Sequence, residues 1–189
     1  MLASLLVAAL LSAAQEGPIS TARGTEETAQ QLARREAIAY AAPLPPEIPS
    51  DDLAFVGWCL GHVTGHIETG RFLKHEDQEL LDLAEVERRR FADALQVAAA
   101  RDPKSVAAAE AARAGSQAKW AEVRQQQPVW MKFAYEASSG LPGRCEHAAR
   151  RVTANIKTPP ATLAATEAAA PRTATTEPPL PTGNPRTTP

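Results

Sequence analysis

His62 and His66 stand four residues apart in the stretch Leu53 to Ile67, LAFVGWCLGHVTGHI, and Cys59 precedes His62 by three positions. On a helix, residues at i and i+4 project from one face a turn apart, which is the spacing of two metal ligands on one helix. The second cysteine, Cys145, is followed two positions later by His147. Two chemistries follow from this pattern. If the cysteines are bridged, Cys145 is anchored within a turn of His62, and His62, His66 and His147 can converge as neutral imidazoles on Zn or Cu. If they are reduced, Cys59-x-x-His62 and Cys145-x-His147 supply a mixed thiolate and imidazole site for Zn.

The pattern is only a fragment of a known one, because His62-Val63-Thr64-Gly65-His66 lacks the Glu that follows the first His of a metalloprotease helix. A histidine pair alone is more often structural or solvated, so the chain is read as free of cofactor, with these three histidines as its candidate metal site. His147 can also point away from His62 along its own helix, which would disperse the set. No Gly-x-Ser-x-Gly elbow, Gly-rich phosphate loop after a strand, or Cys-x-x-Cys-His haem attachment occurs. No catalytic residue is assigned, and Glu68, Glu76 and Asp77 read as helix-end and surface charges. Trp120, Trp130 and Phe133 read as core.

The histidines need an element to hold them, and Leu53 to Ile67 supplies it: the stretch contains no Asp, Glu, Lys or Arg, which marks a buried central helix. On a helical wheel Leu53, Val56, Leu60, Val63 and Ile67 form a core stripe, with Cys59 and Thr64 at its margins. Phe55, Trp58, His62 and His66 form a second arc. Ala54, Gly57, Gly61 and Gly65 form a third, smooth one. Glycine inside a helix costs roughly 1 kcal/mol relative to alanine, so three in register imply a close helix crossing. The alternative is a small apolar ligand lying in that groove beside Phe55 and Trp58.

The first residues, MLASLLVAALLSAA, are apolar and end in small side chains, the pattern of an export signal cut after Ala14. They fall short of the roughly 20 residues that span a bilayer. In an exported chain two cysteines imply one disulfide, Cys59 to Cys145, closing a loop of roughly 85 residues and stabilising the fold by about 4 kcal/mol. At the other end, residues 157–189 are nearly all Thr, Pro, Ala and isolated charges, too poor in apolar side chains to order themselves. A disordered tail is expected there. The formal net charge is −2, and the one basic run, Arg88-Arg89-Arg90, lies in a predicted helix without interleaved aromatics, which argues against nucleic acid.

Between the ends, residues 15–156 read as one helical domain. Helices are expected from about Thr25 to Tyr40, from a Ser50 cap to Thr69 with Gly70 as the stop, and from Glu76 to Arg101. That third helix should bury Leu80, Leu83, Ala84, Phe91, Ala94, Leu95 and Ala98. A fourth should restart at Asp102-Pro103, a short fifth should run from Val129 to Ser138 before Gly140, and a last one from Cys145 to Ile156. Four prolines between Pro43 and Pro49 make a stiff, extended connector. The fold expected is all-α, an antiparallel bundle of about four main helices with one or two short ones. The function expected is that of an exported, periplasmic or secreted, non-enzymatic structural or interaction module with a protein partner in the cell envelope. A metal protein and an apolar ligand carrier stand as alternatives.

Overall fold

The computed structural model describes residues 27–74, 78–138 and 143–168, apart from the side chain at 167. The expected export segment, the distal tail, and Glu76, Asp77 and Gly140 lie outside these residues. The fold is all-α: the described residues form α1 (Ala29–Ala41), α2 (Asp52–Phe72), α3 (Gln78–Arg101), α4 (Ala107–Val123), α5 (Pro128–Ala137), α6 (Arg144–Thr153) and α7 (Leu163–Ala168), with no strand among them.

The helix ends show which local signals prevail. Thr25, the expected start of α1, lies outside the described residues; α1 is capped by Thr28, where Gln31 stands at N3 and completes a capping box: Gln31 N–H donates to the Thr28 hydroxyl at 3.2 Å and Thr28 N–H to Gln31 Oε1 at 2.8 Å. α2 is capped by Asp51 rather than Ser50, its carboxylate accepting from the Leu53 and Ala54 N–H groups at 3.1 and 3.0 Å. The Gly70 stop does not occur. The helix runs on through Phe72, and Lys74, with φ of 52°, takes the left-handed position. A turn at residues 103–106 separates α3 from α4, with Asp102 Oδ1 accepting from Lys104 N–H at 3.0 Å. α6 ends with Asn155 at φ of 54° and Ile156 N–H bonded back to the Arg151 carbonyl at 2.9 Å, a Schellman closure. The proline connector turns as well as extends, since Ile48 N–H reaches the Pro45 carbonyl at 3.0 Å.

α2 is the spine, buried on nearly every side as its lack of charge requires. Its Phe55, Val56, Leu60, Val63 and Ile67 meet Phe91, Ala94 and Leu95 of α3, Ala109 of α4 and Ala148 and Ala149 of α6. Gly70 faces Leu81, Arg71 pairs with Glu85 at 2.8 Å, and Leu53 and Ala98 share a cavity wall, so α2 and α3 run antiparallel. The α3 stripe holds from Phe91 onward, but near its start Leu81 is buried while Leu83 is 58% exposed. α4 packs differently. Ala109 faces Gly57, Arg113 faces Gly61 and Trp120 faces Gly65, so the partners ascend together and α2 and α4 are parallel, with α3 as the return between them.

The domain also keeps order beyond Ile156. Arg151 donates to the Thr158 carbonyl, and α7 lies against α1 with Thr166 buried.

Candidate functional site

Cys59 of α2 and Cys145 of α6 are bonded, their Cα atoms 6.0 Å apart and 86 positions apart in sequence. The expected pairing is present and ties the spine to the last main helix. Loop closure of this length stabilises by about 4 kcal/mol in the chain-entropy view.

The glycine arc is a helix crossing. A Cβ built on Gly57 would lie 2.0 Å from the Ala109 carbonyl oxygen, one on Gly61 2.3 Å from the Arg113 carbonyl oxygen, and one on Gly65 2.3 Å from the Trp120 ring. Backbone of α4 and the Trp120 ring therefore occupy the groove in which an apolar ligand was the alternative, and of the two aromatics expected beside it Phe55 is fully buried and Trp58 half-buried. Arg124 at the end of α4 completes the seam, pairing with Glu68 at 3.1 Å.

The histidines of α2 enter an aromatic stack. The His62 ring lies on Trp58 with centroids 5.0 Å apart and meets Trp120 edge-on at 5.4 Å. Trp120 Nε1–H donates to His62 Nδ1 at 3.4 Å, and a backbone hydrogen bond joins the imidazole to Ser138. Burial pushes the His62 pKa below the ordinary histidine value, with the Ser138 bond opposing it. His66 stacks on Tyr135 of α5, centroids 4.2 Å apart and planes within 11°. Both rings line a cavity of about 280 Å³ with Val63, Leu83, Glu87 and Glu146, and Cys145 reaches its edge.

His147 does not join them. It is 3% exposed and lines a different cavity, against α1 and the proline connector. The expected convergence of three histidines on Zn or Cu is not formed, and among the described residues no three His, Cys, Asp or Glu side chains stand together as a metal site. With Cys59 and Cys145 joined, the mixed thiolate arrangement is not formed either. The reason is helical geometry. A residue two positions from another points about 200° around the axis, so anchoring Cys145 against α2 turns His147 away from α2, towards α1 and the connector. Burial pushes the His147 pKa down, Arg35 and Arg150 add to this, and Glu146 and Glu36 oppose it.

A polar cluster that the sequence did not bring to notice ties α1 and α2 to α6. Glu36, 5% exposed, bonds to Arg150 and, at 2.7 Å, to Arg151. Arg151 also meets Asp52 at 2.8 Å, and the Tyr40 hydroxyl donates to Asp52 at 2.6 Å. Burial, then the bond to Asp52, pushes the Tyr40 pKa well above its ordinary value. Two guanidinium groups compensate one buried carboxylate, which makes the cluster a structural clasp. The available signal was Glu36 itself, a charge between Ala33, Ala37 and Tyr40 on the inner face of α1.

α5 turns the expected face outward. Met131 and Tyr135 are buried, whereas Val129, Trp130 and Phe133 are 67%, 58% and 64% exposed, Trp130 and Phe133 meeting edge to face at 6.4 Å. The reading of Trp130 and Phe133 as core is therefore corrected, while Trp120 is buried as expected. Met131 and Tyr135 take the inner positions because Tyr135 fits between His66 and Gly70. No family model matches the chain, and no curated protein or solved structure matches it either.

Proposed function

We propose that the protein is an exported, non-enzymatic helical module that binds another protein of the cell envelope or extracellular space through the aromatic face of α5. The observation that carries this reading is the exposed trio Val129, Trp130 and Phe133 on a short helix whose other face is locked to α2 through Tyr135 and His66. Large aromatics held out in water on a rigid support are the side chains that dominate the energetics of protein interfaces. Export is supported by the Cys59 to Cys145 bridge, since stable disulfides belong mainly to oxidising compartments, and by the apolar segment at residues 1–14. Among the described residues no helix is long and apolar enough to cross a membrane, which accords with a module that meets its partner from the aqueous side.

A photoreactive phenylalanine analogue at position 133, used in cells that make the protein, tests the reading. One discrete adduct with an envelope or secreted protein, absent from the Trp130→Ala background, is expected. A smear of unrelated adducts, or an adduct insensitive to Trp130, would overturn it.

A further inference from the structure

The cavity that His147 lines lies between α1, the proline connector and the start of α6, and measures about 550 Å³. That is within the roughly 300–1,000 Å³ of small-molecule sites. Its walls are mainly aliphatic, from Ile38 on α1 and from Leu44 and Ile48 on the connector. Polar groups gather at the α6 end, and two of them are unsatisfied. His147 is buried and its Nδ1 has no hydrogen-bond partner; the same is true of Arg144 Nε.

The charges at this end are unequal. Arg144 donates to the Ser50 carbonyl at 2.8 Å and lies over the Tyr40 ring at 4.3 Å, but pairs with no carboxylate among the described residues. Glu146, the acidic residue of the lining, is already held by Arg35 at 3.6 Å and Arg90 at 3.8 Å. The end therefore carries a guanidinium with no carboxylate partner among the described residues beside a buried imidazole whose Nδ1 lacks a hydrogen-bond partner. Such groups favour a ligand bringing one negative charge and acceptor oxygens.

We propose that this cavity binds an anionic amphiphile, a monocarboxylate with an aliphatic chain. The carboxylate sits against Arg144 and His147, and the chain lies along Ile38, Leu44 and Ile48. The site is independent of the α5 face, and neither assignment rests on the other.

Calorimetric titration of the full, disulfide-bonded chain with decanoate, 1-decanol and acetate tests the proposal. Decanoate is expected to bind at one site, roughly tenfold or more tighter than either of the others, because a hydrogen bond to a charged group is worth about that factor. The His147 ring resonances should shift on addition. Arg144→Gln should weaken decanoate by roughly tenfold or more. Because Arg144 also holds Ser50, Ile38→Glu at a half-exposed position serves as a second variant, expected to melt as the wild type does and to lose decanoate binding. Decanol binding as tightly as decanoate would overturn the proposal, as would acetate binding equally well, the absence of saturable binding, or binding unchanged in both variants.

Discussion

Gly57 and Ala109 approach so closely that the carbonyl oxygen of Ala109 lies 2.0 Å from where a Gly57 Cβ would stand. The contact is backbone on backbone, so no flexible side chain can move aside to admit a methyl group. Gly57→Ala gains about 1 kcal/mol of helix propensity yet must pry α4 from α2, and the net effect expected is a loss of about 2 kcal/mol or more. Gly115 on α4 has nothing within 4 Å of its would-be Cβ, so Gly115→Ala should stabilise by about 0.5–1 kcal/mol. Urea unfolding of the two variants should give midpoints displaced in opposite directions. A neutral or stabilising Gly57→Ala would mean that the crossing is looser than described.

The bridge between Cys59 and Cys145 should be worth about 4 kcal/mol. Unfolding midpoints with and without reductant, and of the Cys59→Ser/Cys145→Ser double variant, measure this. The reduced protein and the double variant should agree with each other and both fall well below the oxidised form.

Glu36 compensates two arginines in a clasp from which water is largely excluded. Removing one partner of a buried pair leaves an uncompensated charge, a loss of about 3 kcal/mol. Glu36→Gln keeps the shape and an acceptor but not the charge, and should destabilise by that order. Arg150, the more exposed of the two arginines, should tolerate substitution better than Arg151.

Much of the spine was legible in the sequence. A run without charge dictates burial on all sides, two cysteines allow one pairing, and glycines at a spacing of four require a close neighbour. The neighbour itself was not legible, because α4 is so rich in alanine that no face of it stands out. The orientation of α5 was hidden for a similar reason: a ten-residue helix with Trp130, Met131, Phe133 and Tyr135 has two apolar faces. Only the gap between His66 and Gly70 selects Tyr135 for the inside. The Glu36 clasp becomes visible once distant arginines arrive to compensate the charge. His147 sits where the bridge and the helical turn together place it, away from the histidines with which it was expected to meet.

His62 and His147 should also make stability depend on pH. Both have folded-state pKa values below the unfolded value of about 6.5, so between the two values the unfolded chain binds more protons. Their contribution is present above about pH 6.5 and is lost as pH falls below it. The melting temperature should decline from pH 7.5 to 5.5, and His62→Gln, which does not titrate, should flatten the slope. An unchanged slope would assign the decline to other groups.

The exposed aromatic pair of α5 carries the functional reading, and a Trp130→Ser/Phe133→Ser double variant tests it with two readouts from one protein. If the pair is an unoccupied binding face, the variant should melt within about 2 °C of the wild type, since surface substitutions change stability by about 0.5 kcal/mol or less. In cells, a photoreactive residue placed at Val129 of the variant should lose the discrete adduct that the same residue gives in the wild-type background. A melting temperature lowered by many degrees, or an adduct retained at full strength, would contradict the account.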